Sequence, residues 1–267
     1  MLQIGLKEQR FVPNLFKTLW AIMNTVIELL NSHRSIRKFT NQPIEQSLIH
    51  RLVQAGQAAA TSSFIQACTV IQINDGTKRA QLAEWAGNQT YVNEAPIFLV
   101  FCADMNRHKL SCDMNQAEML SGFTEQFITA TVDCALFAQN VAIAAESEGL
   151  GIVYIGGIRN KIDLVSDALD LPELVYPVFG MCLGYPDQDP EVKPRLPLEV
   201  VLKQDSYTAT EDEQHIRDYD RQVKEYYISR TNGQKEMTWS EQISGMLQKE
   251  ARPHMLSFLK KRGFLQK

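Results

Sequence analysis

The chain has 267 residues, 45% of them hydrophobic and 22% charged, which is enough apolar material for a sizeable core of ordinary soluble type. A net charge of −4 with a pI near 5.8 excludes a general nucleic-acid binder, so any polyanion site must be local and suited to a small phosphorylated ligand. The five cysteines are odd in number and contain no Cys-x-x-Cys pair, which points to a reducing cytoplasm, and no charge-free apolar run reaches the about eighteen residues of a membrane span.

Residues 1–22 carry basic residues and a short apolar patch but neither a long hydrophobic stretch nor a small-residue cleavage site. Met23 stands directly before the first well-patterned helix. Residues 1–22 therefore read as a peripheral N-terminal extension, with a genuine N-terminal helix as the competing reading, and 23–267 as one α+β domain. Thr25–Leu30 reads as the last turns of an amphipathic helix, and the segment after it is the most basic in the chain, with His33, Arg34, Arg37 and Lys38 around Ser35. By itself this segment fits either a solvated basic turn or an anion cradle of the kind that holds phosphate.

Helical spacing continues over Ile44–Ala60. Thr61, Ser62 and Ser63 break it, Phe64 leads on, and Cys68–Ile73 reads as a strand. A short helix over Lys78–Ala86 follows, and then Pro96–Ala103, a continuous apolar run typical of a strand covered on both faces. After a polar connection through Cys112, residues from about Glu118 to Glu148 form the longest helical pattern, with Asp133 as the only charge between Glu125 and Glu146. A helix apolar nearly all round is buried in a core or at a subunit interface. Ile152–Ile155 reads as a strand, Lys161–Leu169 as a helix, Tyr176–Tyr185 as a strand, and Val200–Leu202 as a late strand. Glu213–Lys261 is helical with breaks at Thr231–Gly233 and Pro253.

Gly149-Leu-Gly151 ends a helix and enters a strand, the reverse of a dinucleotide-binding loop, so that reading is rejected. Gly156-Gly157 follows a strand and fits either a tight turn or a backbone that a flat ligand can approach. Lys193 and Arg195 flank Pro194 in an extended segment that reads as a solvated loop or, if it converges with the first basic segment, as a phosphate site. Arg230 and Lys235 flank Asn232-Gly233, which also fits a helix C-terminus with favourable cations. The five histidines are too scattered for a metal site, and no nucleophile elbow or Walker loop is present.

Taken in order, His33-Arg-Ser-Ile-Arg37-Lys-Phe-Thr40, Ser62-Ser-Phe64-x-Gln66, Tyr154-Ile-Gly-Gly157 and Lys193-Pro-Arg195-Leu-Pro197 resemble the FMN-dependent nitroreductase superfamily, of the NADPH-dependent oxygen-insensitive nitroreductase and flavin reductase type. The resemblance runs from about Met23 to the C-terminus. It implies an α+β three-layer sandwich, a mostly antiparallel central sheet flanked by helices, in an intertwined homodimer with two FMN sites at the interface. It implies that His33, Ser35, Lys193 and Arg195, with Arg34 beside them, hold the FMN phosphate and ribityl chain, and that Arg37 and Gln89 meet the pyrimidine edge. The Gly156 N–H would face flavin N5, within a frame of Tyr154, Ile155 and Gly157. Ser62, Ser63 and Phe64 would line the open face, Arg252 would approach the substrate pocket, and Arg230 and Lys235 would meet the NADPH 2′-phosphate. Lys235 stands where the family pattern has arginine, and it keeps the charge but lacks the bidentate fork. The implied activity is NADPH-dependent two-electron reduction of nitroaromatics and quinones by ping-pong turnover on FMN, without a side-chain nucleophile and without a metal, nucleic acid or membrane. The alternatives are a flavin reductase that supplies reduced FMN to a partner enzyme and a flavin-binding module without turnover.

Overall fold

The computed structural model describes residues 25–267. The chain divides at His33/Arg34 into two compact units, and Arg34–Lys267 carries the fold. In the first unit, residues 25–31 are helical, and the N–H of His33 closes the last turn on the Leu30 carbonyl at 3.4 Å. The expectation for residues 1–22 lies outside the described residues.

Strands β1 (Cys68–Gln72), β2 (Ile97–Asp104), β3 (Gly151–Ile155) and β4 (Val175–Gly184) form an antiparallel sheet in the order β1-β2-β4-β3. Strand β2 is buried along its whole length, as its unbroken apolar run requires. Because side chains alternate across a strand, Ile97, Leu99, Phe101 and Ala103 enter one core while Phe98, Val100 and Cys102 enter the other. Helices α1 (Gln46–Gln57) and, further along, the 24-residue α5 (Thr124–Ser147) cover the first face. Helix α2 (Gly76–Trp85) and a 3-10 turn, Gly156–Lys161, cover the second. The expected three-layer α+β architecture is present.

The elements between and after these are α3 (Thr90–Glu94), α4 (Asn106–Met114), α6 (Ile162–Ala168), α7 (Leu198–Val201), α8 (Asp212–Arg230), α9 (Trp239–Leu247) and α10 (Met255–Lys261). Two sequence expectations fail here. The polar connection after β2 contains α4, a surface helix with no buried residue and hence no apolar period to read. Just before its start, Asp104 Oδ1 accepts from the Asn106 N–H at 2.9 Å. The late strand at Val200–Leu202 is instead the end of α7: Pro197 precedes the turn and the Leu202 N–H returns to the Leu198 carbonyl at 2.7 Å. Three β-branched and aliphatic residues with no strand to pair with cannot hold a ladder.

By length and composition α5 could cross a membrane. Ala130, Cys134, Ala138, Val141, Ala142 and Ala145 instead pack it into the first core, which is the behaviour of a core helix. Ile128, Val132 and Leu136, four residues apart along its other side, are 48%, 49% and 45% exposed.

A proline interrupts β4, and the sheet accommodates it with a bulge. Phe101 pairs with Phe179 but Cys102 with Pro177, so Val178 drops out of the ladder. Its carbonyl accepts a hydrogen bond from the Arg159 guanidinium, which anchors that side chain beside the end of β3.

Candidate functional site

The basic segment runs along two edges of the fold. Ser35 makes a parallel bridge with Ile152 on the outer edge of β3, and the Ile36 N–H donates to the Ile152 carbonyl at 2.8 Å. Further on, the Thr40 N–H donates to the Tyr185 carbonyl at 2.9 Å, and the Lys38 carbonyl accepts from the Asp187 N–H at 2.9 Å. Arg34 pairs with Asp189 at 2.6 Å and donates to the Pro190 carbonyl, while the Arg37 N–H meets the Gln188 side-chain oxygen at 3.3 Å. Residues 34–40 are thereby laid against 185–190, the segment that leads into Lys193 and Arg195. The Arg37 side chain remains exposed.

At the end of β3 the chain turns through Gly156 and Gly157. A Cβ on Gly157 would lie 2.3 Å from the Ala86 carbonyl oxygen and 2.9 Å from Gln89 Nε2, so this backbone is in close contact with the Gln89 side chain. A Cβ on Gly156 would lie 3.4 Å from the Arg159 guanidinium. Arg159 is half-buried, and its pKa is lowered first by burial and then by the like charge of Arg252. Arg252 donates to Asn160 Oδ1 at 2.9 Å, and a His254 ring nitrogen meets the Arg159 carbonyl at 2.9 Å. Gly156, Gly157, Gln89 and Arg252 are therefore brought together, with Arg159 and Asn160 as members the sequence reading missed. The signal for Arg159 was its place in the Gly156-Gly157-Ile158-Arg159 turn. Its anchoring, however, depends on a bulge in a distant strand. Ile155 is buried, and Tyr154 donates to Gln139 Oε1 at 3.3 Å, its phenol pushed up chiefly by burial.

Ser62, Ser63 and Phe64 form a second group, a 3-10 turn whose backbone is unusual. Ser63, Phe64 and Gln66 have φ of 48°, 59° and 55°, the left-handed region that costs a non-glycine residue about 1 kcal/mol or more each. The turn presents the Phe64 ring to solvent, 82% exposed. Among the described residues no hydrogen bond or ion pair joins this turn to the Gly156 group.

A third group lies where the Lys193 segment crosses α8. Lys193 Nζ donates to the Tyr227 hydroxyl at 2.9 Å, and Lys235 Nζ sits 3.8 Å from the centre of the same ring. Arg195 donates to the Lys193 carbonyl at 2.7 Å, and the Tyr219 hydroxyl donates to the Pro194 carbonyl at 3.0 Å. Arg230 donates to the Tyr226 hydroxyl at 2.7 Å. Lys193, expected at the FMN phosphate, and Lys235, expected at the NADPH 2′-phosphate, thus share the Tyr227 ring, which sequence spacing did not reveal.

Three comparisons bear on this arrangement. The family model "Nitroreductase family" matches residues 30–185, and "Nitroreductase family, C-terminal domain" matches 193–267. An NADPH-flavin oxidoreductase of Vibrio harveyi is 47% identical over 241 residues, covering 90% of this chain and 98% of the relative. An oxygen-insensitive NADPH nitroreductase of Salmonella typhimurium is 43% identical, covering 91% and 99%. Among solved structures, the NADPH:FMN oxidoreductase of V. harveyi complexed with NAD+ superposes with a TM-score of 0.84 at 43% identity, covering 91% of this chain and 100% of that one. The NfrA1 nitroreductase of Bacillus subtilis superposes with a TM-score of 0.87 at 41% identity, covering 91% and 100%. With both family models and near full-length relatives in agreement with the fold and the glycine turn, this chain belongs to the nitroreductase family.

Proposed function

We propose that the protein is an NADPH-dependent FMN oxidoreductase that reduces nitroaromatics and quinones in two-electron, ping-pong steps. The observation that carries this reading is the Gly156-Gly157 backbone, free of side chains and edged by Gln89, Arg159 and Arg252, in a chain 43–47% identical to NADPH-flavin oxidoreductase and NADPH nitroreductase relatives.

The residues present fit FMN. A flat ring needs bare backbone and donors along its edge, which the glycine turn and Gln89 supply. A phosphate needs converging cations and small polar groups, the role this reading gives to Arg34, Ser35, Lys193 and Arg195, with His33 as a further candidate. Two-electron transfer from NADPH to the acceptor is the chemistry FMN brings when bound. The chain's own part is to bind, orient and set the field. Arg37 and Gln89 would hold the pyrimidine edge, where a fixed cation stabilises developing negative charge. Tyr154, Ile155, Gly156 and Gly157 would frame the redox-active edge, and Ser62, Ser63 and Phe64 would wall the open face. Arg230 and Lys235 would hold the NADPH 2′-phosphate, and Arg252 would orient the acceptor.

The active form in this reading is a homodimer. The exposed apolar stripe Ile128, Val132 and Leu136 on α5 supports it. All five cysteines are free, in keeping with a reducing cytoplasm.

Steady-state turnover separates this reading from its neighbours. Nitrofurazone should be reduced at a kcat/KM comparable to or above that of free FMN. A strong preference for free FMN would favour a flavin reductase that supplies a partner enzyme. Protein left colourless after FMN addition and dialysis would overturn the flavin assignment, and yellow protein inert to NADPH would indicate a binding module.

A further inference from the structure

Helix α5 is apolar almost throughout, yet Asp133 lies in its middle with only 1% of its surface exposed. A buried carboxylate is costly unless hydrogen bonds satisfy it. Both oxygens are engaged by backbone: Oδ1 accepts from the Ser62 N–H at 3.0 Å and Oδ2 from the Ala67 N–H at 3.2 Å. These two amides are the ends of the turn that holds Ser63, Phe64 and Gln66 in the left-handed region. Inside the turn, the Ile65 N–H closes on the Ser62 carbonyl at 2.9 Å. From outside, Arg107 donates to the Gln66 carbonyl at 3.3 Å and a His108 ring nitrogen meets the Ile65 carbonyl.

Strained backbone persists only where its surroundings over-determine it. Packing from below does not do so here, because a cavity lined by Gly56, Thr61, Gln66, Arg107, Asp133 and Phe137 adjoins the turn. The turn has room to relax, and the carboxylate is what joins its two ends. An apolar residue at this position would leave two N–H groups unsatisfied, and an asparagine would set its own N–H₂ against one of them.

We propose that Asp133 is a positioning residue: from within α5 it staples the Ser62–Ala67 turn so that Ser63 and the Phe64 ring form a rigid wall that selects flat acceptors by size. This rests on the functional reading above. Asp133 touches neither cofactor nor acceptor; it acts through the two amides it holds.

The test is Asp133→Asn, which keeps the volume and loses one acceptor. Amide exchange of Ser62–Ala67 in the apo protein should quicken about tenfold, the equivalent of one lost hydrogen bond, while the sheet amides keep their protection. In the FMN-loaded enzyme, the kcat/KM ratio between a small quinone and a bulky nitroaromatic should shift at least severalfold, because a loose wall discriminates less. Unchanged exchange in the turn, or faster exchange with an unchanged acceptor ratio, would overturn the proposal; the second result would make Asp133 merely structural. Should Asp133→Asn fail to fold, Asp133→Ser, which can accept from at most one of the two amides, carries the same two comparisons. If NADPH does not bleach the wild-type protein, the functional reading falls separately, and the exchange comparison still decides whether the staple exists.

Discussion

Tyr227 is the residue on which the basic loops meet. Burial raises its phenol pKa, but the hydrogen bond from Lys193 and the charges of Lys193 and Lys235 outweigh this and hold it below the usual 10. A depressed folded-state pKa contributes stability that is present above 10 and is lost as pH falls through the folded value. Ultraviolet titration of the folded protein should show a tyrosine ionising below 10 that is missing in Tyr227→Phe, while burial pushes Tyr154 and Tyr176 up. A low-pKa tyrosine that persists in the variant would contradict the assignment. Arg195 offers a direct test of the phosphate end. Arg195→Ala removes a charge-assisted donor worth roughly 1.5–3 kcal/mol, so FMN should bind at least about tenfold more weakly in a fluorescence titration. Unchanged affinity would count against the site. The cations themselves were legible in the sequence. Their shared support was not, because it depends on how α8 docks against an extended segment more than 30 residues away in sequence (Lys193 to Tyr227).

At the scale of elements, what could be read and what could not follows from burial. Strand β2 and helix α5 announced themselves because continuous burial requires continuous apolar sequence. Helix α4, with nothing buried, and the turn α7 left no such pattern. The link from Pro177 to a bulge, then to the Val178 carbonyl and Arg159, was also hidden, since the proline signals a bulge but not which side chain takes the freed carbonyl. The glycine turn is the element most exposed to mutation. In Gly157→Ala the new Cβ would meet the backbone carbonyl of Ala86, which cannot swing aside as a side chain would. The variant should lose about 1–3 kcal/mol of stability, together with its yellow colour after dialysis, as Gln89 is displaced. Calorimetry and the flavin absorbance check both, and a variant that keeps full stability and colour would contradict the close-packed turn.

For the molecule as a whole, the α+β class was legible from the order of elements and the three-layer sandwich from the family resemblance, and apart from that resemblance the site was legible only as separate pieces. The Ser62–Phe64 turn and the Gly156 group are distant in sequence and unlinked by hydrogen bonds among the described residues, so a reading of one chain could name both without joining them. For the proposed homodimer, sedimentation should report twice the 30.3 kDa chain mass. Val132→Asp, on the exposed stripe of α5, should shift that mass toward the monomer and weaken FMN retention together. Loss of dimer with full FMN retention would separate the interface from the site. Anaerobic titration decides whether this fold holds FMN for electron transfer from NADPH. The FMN-loaded protein should be yellow and should bleach on addition of about one equivalent of NADPH, with colour restored by a nitroaromatic or quinone. Protein that takes up no FMN, or that stays yellow under excess NADPH without oxygen, would contradict the account.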